Sequence, residues 1–220
     1  VLTFPLKKKP NPRIVKANYL VLHQVSKQLK LIVGLGNPES EHTETRHNAG
    51  FWFVDILAEK LSLHYTHDKK FKSELCRYQN EAIDCWLCKP QTYMNESGTA
   101  IQAIINYYKI PINQILVVHD EIDLDVGNLR FKTGGGHGGN NGLRDIIDKV
   151  GEQNFNRLRI GIGHPGDPDK VVSYVLSRPD YEDRVNIRNN INTVIDEYKK
   201  LFDGEIQELM NQNNKRNKID

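Results

Sequence analysis

The stretch LKLIVGLG, Leu29–Gly36, constrains the fold more than any other part of the chain. Its apolar run is short, and two glycines close it. Such a run reads as a buried strand rather than a helix. The rest of the chain supplies helices to cover it. NAGFWFVDILAEKLS predicts an amphipathic helix over 49–61. CRYQNEAIDCWLCKP predicts two strands with a turn near Asn80, and ESGTAIQAIINYYKI a second helix. ILVVHDEIDL is a strand ending in acids, and NLRFKT is another. The loop GGGHGGNNG leads into the helical LRDIIDKVG, and RLRIGIGHPG is a strand running into a turn. The stretch 181–213 reads as helical, broken at Asp203 and Gly204. Strands alternating with helices imply an α/β class: a single domain with a twisted mixed, largely parallel sheet and helices on both faces.

That domain is expected over residues 29–213 of the 220. Residues 1–28 hold no acidic residue, but carry Lys7, Lys8, Lys9, Arg13 and Lys16 with three prolines. This composition suits a disordered or targeting extension outside the fold. Residues 214–220 read as a frayed tail. No window approaches the roughly 18 apolar residues of a membrane helix. The formal net charge of +2 neither demands nor excludes a nucleic-acid partner. Three cysteines, Cys76, Cys85 and Cys88, argue against a disulfide scaffold and for a reducing compartment. The C-x-x-C of DCWLCKP lacks the second pair that a zinc site needs, so its cysteines read as strand residues.

Polar residues gather where predicted strands end: Asn37 after the first, Tyr93, Met94 and Asn95 after CWLCKP, and His119, Asp120, Glu121 and Asp123 at ILVVHDEID. In α/β sheets such loops converge at the carboxyl ends of the strands. His47, in TRHNAGF, lies one loop beyond Asn37 and reaches the same edge. A histidine suits proton transfer near neutral pH, and a carboxylate would fix its tautomer. Asp120 is the best-placed acid. Asn48 reads as the helix cap, and Arg46 is left unassigned. Other chemistries fit less well. In GLGNPE, Glu39 would set a carboxylate against a dinucleotide pyrophosphate. HDEID could hold a magnesium-type ion through oxygens, but strand alternation sends Asp120 and Glu121 to opposite faces. KTGGGHGGNNG sets five glycines around His137 at a helix start, as a ligand-binding loop would. Lys132 and Arg159 fall on strands flanking it and could share one phosphate.

Taken together, VGLGNP, TRHNAGF, KPQTYMNESG, HDEIDL, FKTGGGHGGNNGL and RLRIGIGHPG resemble the motifs of the bacterial-type peptidyl-tRNA hydrolase family, in order and in spacing. The resemblance spans roughly Lys30 to Leu209. It implies a hydrolase that cleaves the ester between peptide and tRNA and recycles tRNA from prematurely released chains. It implies no metal, no cofactor, a monomer and a cytoplasmic location; organelle targeting would follow if the basic extension is native. It places the catalytic histidine at His47, its aspartate at Asp120 and site asparagines at Asn37, Asn95 and Asn141. His42, Tyr93 and Met94 would line the substrate site, and Lys132 and Arg159 would bind tRNA phosphate. The chain departs from the family pattern in having Glu39 for glycine, His42 for tyrosine and Asn140 for histidine. A non-catalytic tRNA-binding protein on the same fold is the alternative.

Overall fold

The computed structural model describes residues 27–216. The basic extension before Lys27 and the tail after residue 216 lie outside the described residues. Seven strands form one sheet: β1 (Leu31–Gly34), β2 (Thr66–Asp68), β3 (Ser73–Gln79), β4 (Asp84–Pro90), β5 (Ile115–Glu121), β6 (Leu129–Thr133) and β7 (Asn156–Gly161). Their order is β2-β3-β4-β1-β5-β7-β6. The inner four, β4, β1, β5 and β7, are parallel. The β3 and β6 strands run against them, and β2 runs against β3. The sheet is therefore mixed, with a parallel centre and antiparallel flanks.

Helices α1 (Ala49–Lys60), α2 (Ser97–Tyr108), α3 (Asn141–Val150), α4 (Val171–Val175), α5 (Tyr181–Ile195), α6 (Tyr198–Phe202) and α7 (Ile206–Arg216) complete the fold. Strand alternation explains the two cores. Ile32, Leu116, Val118 and Leu158 point to the side covered by α1, α5, α6 and α7. Leu31, Val33, Ile115 and Val117 point to the side covered by α2 and α3. Because both faces are covered, β1 is buried along its whole length. Cys76, Cys85 and Cys88 are free thiols buried on β3 and β4.

Two glycines set how closely α1 approaches. A Cβ on Gly50 would overlap the Val118 carbonyl oxygen and the Leu35 amide nitrogen, and one on Gly34 would overlap the Gly50 carbonyl. The helix start can thus lie directly on the strand backbones. The residues just before it, Arg46–Asn48, are driven to the carboxyl edge of β1 and β5.

The break at Asp203 and Gly204 separates α6 from α7 as expected, and a second break at Asp196 and Glu197 ends α5. The β2 strand and α4 were not expected from the sequence. No helix among the described residues is long and apolar enough to cross a membrane.

Candidate active site

A cavity of about 350 Å³ opens at the carboxyl ends of β1, β4 and β5. Loops from separate parts of the chain reach it. Asn37 comes from the β1 loop, His47 from the entry to α1, and Tyr93, Met94 and Asn95 from the loop after β4. Asp120 comes from the end of β5, and Asn141 from the start of α3.

His47 and Asp120 are both buried. The His47 Nδ1 lies 2.8 Å from Asp120 Oδ2. A carboxylate there accepts the Nδ1 proton, so Nε2 keeps the lone pair. Burial by itself pushes the His47 pKa down, but the Asp120 charge and hydrogen bond outweigh it and hold the pKa above 6.5. The second Asp120 oxygen, Oδ1, accepts from Asn140 Nδ2 at 3.1 Å. The same Asn140 side chain caps α3, its Oδ1 accepting from Leu143 N–H at 3.1 Å. One asparagine therefore ties the helix start to the carboxylate. The next residue, Glu121, points the other way and pairs with Arg159 Nε at 2.8 Å, as strand alternation requires. His119 lies outside the cavity lining; it is buried, with Nδ1 2.7 Å from the Asp120 carbonyl oxygen, and burial lowers its pKa.

Asn37 is fixed on three sides. Its N–H donates to Asn48 Oδ1 at 2.8 Å, and its carbonyl accepts from Asn48 Nδ2 at 2.9 Å. Its own Oδ1 accepts from Met94 N–H at 2.8 Å. A backbone donor at that distance identifies the amide oxygen, so Nδ2 is the end left to the cavity. The expected helix-capping role of the Asn48 side chain is corrected here: it makes no cap hydrogen bond, because both its polar atoms are used on Asn37. Arg46 is a structural contact. Its guanidinium lies 4.2 Å from the Tyr174 ring and donates to Ser177 Oγ at 2.7 Å.

Not every expected residue joins the cavity. His42 is not part of the lining; its Nε2 lies 3.6 Å from Glu41 Oε1, and its carbonyl oxygen accepts from Thr45. Lys132 and Arg159 lie on the neighbouring β6–β7 ladder, outside the lining. Register sets Lys132 opposite Arg157, and Arg130 opposite Arg159, so all four cations share one face. Arg157 holds the glycine-rich loop through the carbonyls of Gly135 and Gly136. Asn141 accepts from Arg144 at 3.1 Å at the cavity rim.

Two features of the cavity were missed from the sequence. One is Asn140, read only as a departure from a motif. The other is the apolar wall of α4, with Val171, Val172, Val175 and Leu176. Val172 is 69% exposed and Leu176 38%, so this wall is open to solvent. The signal was present in GDPDKVVSYVL: Asp167 accepts from Asp169 N–H, Pro168 follows it, and an apolar run comes next.

The model of the peptidyl-tRNA hydrolase family matches residues 31–220. A peptidyl-tRNA hydrolase of Neisseria meningitidis is 52% identical over 163 residues, covering 74% of this chain and 85% of that one. One from Legionella pneumophila is 50% identical over 186 residues, covering 84% of this chain and 98% of the relative. Among solved structures, a peptidyl-tRNA hydrolase from Acinetobacter baumannii superposes with a TM-score of 0.82 at 45% identity. That match covers 86% of this chain and 95% of that one. Sequence and fold agree: the chain belongs to the peptidyl-tRNA hydrolase family.

Proposed function

We propose that this protein hydrolyses the ester linking a peptide to the 3′ ribose of tRNA, with His47 as general base. The observation that carries the reading is the buried 2.8 Å pair of His47 Nδ1 and Asp120 Oδ2 at the cavity floor. Asp120 holds the proton on Nδ1, so Nε2 takes a proton from water as the water attacks the ester carbonyl. The carbonyl oxygen becomes an oxyanion. The Nδ2 donor of Asn37, fixed by Met94 N–H and Asn48, and the amide of Asn95 stabilise it without titrating. Collapse of the tetrahedral intermediate breaks the bond to the ribose oxygen. The His47 imidazolium returns the proton to that oxygen, freeing tRNA and peptide.

Substrate recognition divides along the cavity. Asn141 hydrogen-bonds the peptide main chain, which tolerates any peptide sequence. The α4 wall and Met94 receive apolar side chains, and Tyr93, 59% exposed, offers a ring at the rim. Lys132 and Arg159 hold a tRNA phosphate. Arg159 spends Nε on Glu121, which leaves both Nη groups as donors. The substrate is held by one chain acting as a monomer. The three buried, reduced cysteines support a reducing compartment such as the cytoplasm.

Purified protein and an N-blocked aminoacyl-tRNA test this reading. Release of the blocked amino acid is the expected result. Intact tRNA ester after incubation with folded protein would leave a tRNA-binding protein instead.

A further inference from the structure

A second cavity, of about 330 Å³, lies at the opposite end of the sheet. Lys30 precedes β1, Asp84 and Trp86 open β4, and Gln114 precedes β5, so the cavity faces the amino ends of strands whose carboxyl ends carry His47 and Asp120. The Trp86 and Tyr108 rings stand 5.0 Å apart, tilted by 33°. The Arg77 guanidinium lies 5.1 Å from the Trp86 ring. Asp84 holds it there through Nε at 2.7 Å and Nη2 at 2.9 Å. That pairing consumes the one carboxylate in the lining, and Lys30 and Lys109 remain as its other cations. The aromatic strip continues outward. Tyr107, 57% exposed, meets Tyr108 edge-on at 4.9 Å, and Lys70 Nζ sits 3.3 Å above its ring.

Lys109 ends α2 with φ of 55°, the left-handed position where glycine is favoured, and it lines the cavity.

Aromatic faces beside cations are what a stacked base with its phosphate requires. We propose that this groove is a second nucleotide-binding site, with the base against Trp86 and Tyr108 and the phosphate on Lys30 and Lys109. Gln114 also lines this groove. A free mononucleotide and an unpaired nucleotide of an RNA strand share this chemistry, and the experiment separates them.

The full chain is titrated with AMP and, separately, with a hexamer of riboadenylate, reading tryptophan emission. Trp52 is 5% exposed, so quenching reports Trp86. The expected result is saturable quenching with a Kd of about 10⁻⁴ to 10⁻⁶ M. Quenching by AMP identifies the free nucleotide as sufficient; quenching by the hexamer alone identifies a strand. K109G removes the cation and relieves the positive φ. It is expected to weaken binding at least about fivefold while its Tm stays at or above the wild-type value. Y108L, which removes the stacking ring, should weaken binding as well. No quenching by either probe up to about 1 mM overturns the proposal. So does quenching of wild-type strength in both variants.

Discussion

His47 is useful as a base only when neutral, and its fold works against that state. Asp120 raises its pKa above 6.5 despite burial, so the protonated form is favoured in the folded chain. The pair therefore contributes stability below the unfolded histidine pKa of about 6.5, and that stability is lost as pH rises through the higher folded value. Activity runs the other way. The acid limb of kcat/KM should have its midpoint above 6.5, where His47 loses its proton. Asp120→Asn removes the charge that raises this pKa. It should lower kcat at least about tenfold and move the acid limb to lower pH; a limb that stays put would detach Asp120 from His47. Asn140→Asp separates the two jobs of that residue. The carboxylate still caps α3, so the cap itself should change by no more than the few tenths of a kcal/mol by which good caps differ, about 0.5 kcal/mol. It can no longer donate to Asp120 and sets a second negative charge beside it, so kcat should fall and the acid limb should rise in pH. A pH–rate profile read with a melting curve checks both effects.

At the scale of elements, the position of His47 is a packing result. Gly50 lets α1 lie on the backbones of β1 and β5. Gly50→Ala should destabilise the fold by about 1–3 kcal/mol or more through overpacking, measured by urea unfolding, and should lower activity by moving the histidine. Destabilisation below about 0.5 kcal/mol would mean that the contact is loose. Most of this architecture was legible in the chain. The α1 helix was expected over 49–61 and runs Ala49–Lys60; the two strands around Asn80 and the break at Gly204 also stand as expected. The β2 strand escaped because three exposed or half-exposed residues carry no alternation. The α4 helix escaped because five residues are too few to show a helical period, and its apolar side chains are split between the cavity (Val171, Val172) and the core (Tyr174), with Val175 at both. The role of Asn48 was misjudged for another reason. Position in the sequence made it a cap, but its hydrogen-bonding partner, Asn37, lies across the β1 loop.

At the scale of the whole molecule, the cavity joins residues from Asn37 to Leu176, brought together because parallel strands all end at one edge. Periodicity found the edge, and the ordered motifs found the residues on it. Neither could show that Asn140 bridges α3 to Asp120, because that bond depends on how the glycine-rich loop closes. The proposed tRNA contact lies on the basic face of β6 and β7, beside the cavity. Lys132→Ala should raise KM and flatten its dependence on salt by about one phosphate contact; an unchanged KM would remove Lys132 from the substrate interface. The central claim rests on one side chain. His47→Ala, assayed on N-blocked aminoacyl-tRNA with the fold verified by its melting temperature, should lose about 10²- to 10⁴-fold in kcat while tRNA binding persists. Turnover within about threefold of the wild type would contradict a base whose whole contribution is of that size.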